Sequence, residues 1–313
     1  MIPADPSRTA LATSMMRATH SRTAPSPLLD DRWGDRLVPD AVRAAALQAV
    51  LSRLEPDART QALRAPDSVL DNALRANAAY ADVILRSRYA EDVLATAIQR
   101  GVDQYVLVGA GFDSFALRQP AHTPSLSVFE IDHPATQGMK RRRLAECGIA
   151  PLDNLHFIAA DLSTESLDAA LARSSFQSTR PSFFSWLGVT MYLTREANLA
   201  TLRAIATCAA PGSDLVFTYV DSAVFEPGYS ASESFQQLRA SVASAGEAFL
   251  SGFDPATLAD ELREIGLDLL EDLSGLEVAA RYDKAGVNGL RSSAAAHIAH
   301  VRVVGGAAQR KGE

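Results

Sequence analysis

Two patterns of apolar residues divide this chain. From Val38 to about Gln99 they recur every three or four residues. Ala41 to Leu54 is rich in alanine, Val69, Leu70, Ala73 and Leu74 follow a helix start at Asp67-Ser68, and Val83, Ile84, Leu85, Tyr89, Val93 and Leu94 continue the pattern. That spacing predicts amphipathic helices. From residue 104 the pattern changes to short apolar runs, Gln104–Val108, Ser127–Ile131, Leu155–Ala159, Ser182–Leu187 and Asp214–Val220, separated by helical stretches near 134–147, 164–173 and 194–209. Strand-like runs alternating with helices predict a parallel sheet covered on both faces. Asp254-Pro255 opens a further helix to about Ile265, and Leu267–Leu273 and Ala296–Val304 read as two closing strands.

The predicted fold is α/β: a doubly wound, mostly parallel, seven-stranded Rossmann-like sheet over residues 101–313, behind an N-terminal helical cap over 1–100. Residues 222–250 break the alternation with Glu226-Pro227-Gly228-Tyr229 and a stretch rich in Ser and Ala. They are expected to form an insertion that, with the N-terminal helices, covers the site as a lid. Residues 1–30 are rich in Ser, Thr, Pro and Arg, and the first dozen are expected to be mobile.

Composition narrows the partners. With 313 residues, 47% of them hydrophobic and 21% charged, a sizeable core is available. A net charge of −7 argues against nucleic acid, which needs clustered Lys and Arg. The one basic run, Lys140-Arg141-Arg142-Arg143, reads as a solvated helix face. No apolar run approaches the ~20 residues of a bilayer span, and the N-terminus lacks a signal-peptide core. Cys147 and Cys208 are too few for a disulfide scaffold or a Cys-rich zinc site. A cytoplasmic protein is expected, with no metal, no membrane partner and an open oligomeric state.

The chemistry concentrates where the first strand ends. Val106-Leu107-Val108 runs into Gly109-Ala110-Gly111-Phe112-Asp113, and Asp132 closes the next apolar run. Glycines at a strand end let a ligand lie against bare backbone, and an acid one strand further on can grip a ribose diol. A dinucleotide fingerprint needs a third glycine where this chain has Ser114, and Asp113 puts an anion where pyrophosphate would sit. S-adenosyl-L-methionine carries a sulfonium and an ammonium and no phosphate, so it suits such a turn better than NAD.

The blocks Val106–Asp113, Phe129-Glu130-Ile131-Asp132-His133-Pro134 and Gly188-Val189-Thr190-Met191-Tyr192-Leu193 resemble the leucine carboxyl methyltransferase family, and within it the bacterial small-molecule O-methyltransferases. Residues 9–18 and Arg86-Ser87-Arg88-Tyr89-Ala90-Glu91-Asp92-Val93-Leu94 resemble it too. The resemblance implies a class I methyltransferase fold and S-adenosyl-L-methionine as cofactor. It places Gly109 and Gly111 against the cofactor's methionine and ribose, Asp132 on the ribose hydroxyls, and Asp161 and Leu162 on the adenine. Arg86, with Arg88 in reserve, would pair with the methionine carboxylate, as suits a bidentate guanidinium. Asp113 and Leu187 fall at the same end.

Two positions depart from the family pattern. Phe115 stands where an arginine is usual, and Leu187 where an acid is usual, with Asp113 and Asp221 available to compensate. His20 and Tyr192 are candidate catalytic groups, and Arg17, Tyr219 and Tyr229 candidate contacts to a small-molecule acceptor, carboxylate or hydroxyl. A hydroxyl acceptor gains from a general base, whereas a carboxylate needs none. The alternatives are the same fold kept as a cofactor-assisted cyclase or a binding protein, and an NAD-dependent reductase.

Overall fold

A computed structural model describes residues 7–118, 126–229, 235–236, 239–240 and 248–304. Six helices come first: α1 (Arg8–Thr23), α2 (Gly34–Leu37), α3 (Asp40–Leu51), α4 (Pro56–Ala62), α5 (Pro66–Arg75) and α6 (Tyr80–Gln99). Strands and helices then alternate: β1 (Gln104–Val108), α7 (Phe115–Arg118), β2 (Ser127–Asp132), α8 (Pro134–Glu146), β3 (Leu155–Ala159), α9 (Leu167–Ala172), β4 (Phe183–Trp186), α10 (Arg195–Cys208) and β5 (Asp214–Val220). The described chain closes with α11 (Leu258–Glu264), β6 (Leu267–Ser274), α12 (Gly275–Tyr282) and β7 (Ala296–Val303). Among the described residues no helix is long and apolar enough to cross a membrane.

The seven strands form one sheet in the order β3-β2-β1-β4-β5-β7-β6. Six run in the same direction, and β7 alone lies antiparallel, between β5 and β6. The strand order reverses between β1 and β4, where their carboxyl ends open a crevice, the usual ligand position in doubly wound sheets. Each sheet face has its own apolar core. On one side Met15, Ile84, Tyr89, Tyr105 and Val216 pack with the N-terminal helices. On the other, Val106, Phe184, Trp186, Leu202 and Phe217 are shielded by α10 and α11. All seven strands fall where the apolar runs predict them. β4 is shorter than its run because the chain leaves the ladder at Leu187 and turns through Gly188, whose φ is +71° and whose N–H donates to Thr218 Oγ1 at 2.7 Å.

Three expectations are corrected. Residues 8–12, expected to be mobile, begin α1; Ser7 caps it by accepting from Ala10 N at 3.1 Å, and residues 1–6 lie outside the described ones. α1 buries Leu11, Ser14, Met16, Ala18 and His20 on nearly all sides, so it shows no amphipathic stripe along the chain. The helix expected from Asp254 starts at Leu258, because Asp254 first caps a turn by accepting from Ala256 N at 2.9 Å. α12 was not expected; Ser274 and Glu277 form a capping box at its start. Much of the 222–250 insertion lies outside the described residues.

Candidate active site

The site grows from the β1 turn. Gly109 and Gly111 have φ of +71° and +53°, conformations that disfavour any side chain. The N–H groups of Gly109 and Ala110 both donate to Ile131 O, at 2.9 and 3.0 Å, tying the turn to the end of β2. A Cβ on Gly109 would come within 2.6 Å of Val189 Cγ2, so the turn is also closed from the β4 side. Asp132 follows at the end of β2, accepting from Gly111 N at 2.5 Å and His133 N at 2.6 Å. Burial raises its pKa, while the two N–H donors and Lys140 pull the other way. Asp113 caps α7, accepting from Phe115 N at 2.7 Å.

These residues wall a cavity of about 300 Å³, together with Arg86, Leu187 and Tyr192. Arg86 reaches in from α6. Its guanidinium lies against the bare backbone of Gly188, where a Cβ would stand 2.5 Å from both terminal nitrogens. It forms no ion pair or hydrogen bond among the described residues, and burial lowers its pKa. An unpaired guanidinium walled into a cavity is a seat for a carboxylate. Arg88 instead turns away to Asp92 at 3.1 Å and Leu28 O at 3.1 Å; of the two arginines only Arg86 is at the site.

A second cavity of about 110 Å³ adjoins the first, sharing Thr9, Thr13, Arg86, Gly188 and Tyr192 with it. Its remaining walls are mostly apolar, with Val83, Met191, Phe249 and Ile298 among them, and they include the carboxylate of Asp82. Thr9 and Thr13 come from α1, and Phe235 and Phe249 from the described part of the insertion, so both segments contribute walls to this chamber. Tyr192, on a 3-10 turn over Thr190–Tyr192, stands at the junction of the two cavities and packs against the Phe249 ring.

Several sequence candidates lie elsewhere. His20 is fully buried, its Nε2 accepting from Leu28 N at 2.9 Å and its Nδ1 paired with Tyr80 Oη at 3.1 Å. Burial lowers its pKa to about 4. It lines neither cavity, and through Tyr80 it ties α1 to α6. Arg17 borders the first cavity, not the second, and its guanidinium is engaged by Asp31 at 2.8 Å and Phe112 O at 2.7 Å. It clamps α1 onto the glycine turn. Tyr219 borders the second cavity, but its hydroxyl donates to Asp272 at 2.6 Å and its ring packs edge-on against Phe253. Tyr229 is exposed and lines neither cavity.

Asp161 and Leu162 follow β3 on the same sheet edge without entering the first cavity. Asp161 accepts from Ser163 N and Oγ at 3.0 and 2.6 Å. Leu162 lines a third cavity, of about 660 Å³, which meets the first at Tyr192. Two site residues went unread from the sequence. Gly188 sat in a block singled out for other reasons, and Asp82 carries its signal four residues before Arg86, on the same face of α6.

A doubly wound sheet with a glycine turn after β1, an acid after β2 and one antiparallel strand between β5 and β6 defines the methyltransferase class of nucleoside-binding folds. The model of the leucine carboxyl methyltransferase family matches residues 10–206. The chain is 35% identical over 191 residues to YktD of Bacillus subtilis, a candidate S-adenosyl-L-methionine-dependent methyltransferase, covering 61% of this chain and 62% of that protein. A candidate methyltransferase of the same kind from Mycobacterium marinum is 31% identical over 231 residues, 73% of this chain and 70% of that one. Among solved structures, a candidate methyltransferase from Thermobifida fusca matches with a TM-score of 0.55 at 15% identity, covering 97% of both chains. A DUF574 family protein from Streptomyces avermitilis matches at 0.53 and 17% identity, over 83% of this chain and 96% of that one. The structural likeness bears on the fold alone. The chain belongs to the leucine carboxyl methyltransferase family, a family of S-adenosyl-L-methionine-dependent methyltransferases.

Proposed function

We propose that this protein methylates an oxygen atom of a small molecule, with S-adenosyl-L-methionine as the methyl donor. The observation that carries this reading is the Arg86 guanidinium, unpaired among the described residues, at the junction of two chambers, one lined by Gly109, Gly111 and Asp132 and the other mostly apolar. The donor set fits the cofactor. Arg86 would hold the methionine carboxylate, Asp132 the ribose diol, and the carboxylates of Asp113 and Asp132 suit a cation better than a pyrophosphate. When bound, the cofactor supplies a methyl group already activated by its sulfonium. The protein's part is to align the acceptor oxygen in line with that methyl and to exclude water. Tyr192, Thr9 and Thr13 border the passage where the two would meet. We place the reaction in the cytoplasm, in keeping with Cys147 and Cys208 both being free thiols.

The test is release of S-adenosylhomocysteine from purified protein given the cofactor and a library of small hydroxyl- and carboxyl-bearing acceptors. Acceptor-dependent release is expected. A chain of this fold kept for binding alone would bind cofactor and product and release nothing above the acceptor-free rate.

A further inference from the structure

The second cavity contains a carboxylate that the binding of cofactor leaves without a task. Asp82 is the only acidic residue among its described walls. Ser292 Oγ donates to Asp82 Oδ1, and Ser292 is itself pressed against Gly275, where a Cβ would stand 1.9 Å from the hydroxyl oxygen. One carboxylate oxygen is thereby fixed from the α12 side, and Oδ2 has no hydrogen-bond partner among the described residues. Asp82 and Arg86 lie one helical turn apart on α6 without forming an ion pair; the acid lines the second chamber only, while the cation lines both. The other ionisable groups of the cavity are Arg86, Tyr192, Tyr219 and His297, and both Tyr219 and His297 are engaged by Asp272.

We propose that Asp82 is the general base of the reaction and that the acceptor is a neutral, largely apolar molecule methylated on a phenolic or enolic hydroxyl. This deepens the function proposed above and rests on it. The acceptor's O–H would donate to Asp82 Oδ2. As its oxygen forms the new C–O bond, the proton passes to Asp82, the C–S bond breaks, and its electron pair stays on sulfur, neutralising the sulfonium. The proton then leaves to solvent. A carboxylate acceptor would bring a second anion against Asp82 in an apolar chamber whose nearest cation is committed to the methionine carboxylate, an arrangement with large electrostatic cost. A hydroxyl meets no such penalty and needs the base a carboxylate would not. Burial raises the pKa of Asp82, against the opposing pull of Ser292 and Arg86, which makes it a stronger proton acceptor than an exposed aspartate.

Two probes test this. The first uses wild-type protein with S-adenosylhomocysteine and compares binding of phenol with benzoate by calorimetry. Phenol is expected to bind and benzoate to be excluded. The second uses 4-nitrophenol, whose ionisation is visible by absorbance. Bound to wild type it should titrate at higher pH than when bound to Asp82→Asn, because the anionic neighbour disfavours the phenolate. Turnover of phenol should fall about 10²–10⁴-fold in Asp82→Asn, and that of 4-nitrophenol, which ionises unaided, far less. Equal titration in the two proteins, benzoate binding as well as phenol, or no phenol binding while the cofactor binds would each overturn the assignment of Asp82. Failure of S-adenosyl-L-methionine itself to bind would instead overturn the function on which it rests.

Discussion

At the scale of single residues, the structure separates side chains that share a type but not a task. Arg86 and Arg88 stand in one sequence block, and only packing against Gly188 distinguishes the arginine at the cavity from the one held by Asp92. Asp132 was legible from the strand-end grammar. Asp82 was not, since a carboxylate on a helix face ordinarily points to water. His20, a candidate base in the sequence, is buried between Tyr80 and Leu28 and away from both cavities. Its pKa, lowered by burial from 6.5 to about 4, means the folded state favours the neutral ring. The stability this contributes is present above pH 6.5 and is lost as pH falls through 4, by up to about 3 kcal/mol. Thermal melts across that window should show wild type losing stability more steeply than His20→Gln; parallel profiles would contradict this.

Leu187 lines the same cavity as Asp113 and Asp132 and packs against the apolar core. Phe115, the other departure, packs edge-on against Tyr105, whose hydroxyl bonds Ser185 at 2.9 Å, two residues before Leu187. Tyr105 thus joins Phe115 to β4, the strand that Leu187 follows. Leu187→Glu would add a third carboxylate to one cavity and disturb that packing, so the unliganded protein should lose about 1–3 kcal/mol in denaturant melts. An unchanged melt with tighter binding of S-adenosyl-L-methionine would show instead that the missing acid had weakened the grip on the cofactor.

At the scale of elements, the strands were legible because apolar runs of strand length are rich in β-branched and aromatic residues, and their alternation with helices marks the sheet as mostly parallel. The helices that failed to show are those whose signal is not periodic: α1, buried nearly all round, and α12, whose capping box at Ser274 and Glu277 was its only mark. The turn after β4 is the element on which the site depends most. Gly188 needs its positive φ to leave the sheet and its missing side chain to seat Arg86. Gly188→Ala should cost about 1 kcal/mol in stability from the backbone alone. Displacing the guanidinium should weaken cofactor binding roughly tenfold or more, measured by calorimetry. Full affinity in a folded variant would mean that Arg86 does not hold the cofactor.

At the scale of the whole molecule, the N-terminal helices and the sheet build the site jointly. α6 supplies Asp82 and Arg86, and α1 supplies Thr9 and Thr13 and clamps the glycine turn through Arg17. The nucleotide half is readable from sequence because backbone geometry restricts which residues fit there. The second chamber, proposed above for the acceptor, is not, since its walls come from five or more separate segments whose meeting only the fold determines. The central claim is that the crevice between β1 and β4 binds S-adenosyl-L-methionine through Asp132 and Arg86. Calorimetry on wild type and Asp132→Ala, with S-adenosyl-L-methionine and NAD as ligands, tests it most directly. One S-adenosyl-L-methionine should bind each wild-type chain, NAD should not bind, and Asp132→Ala should lose about 1–3 kcal/mol of binding energy while keeping its fold. Unchanged affinity in a folded Asp132→Ala, or preference for NAD, would contradict the account.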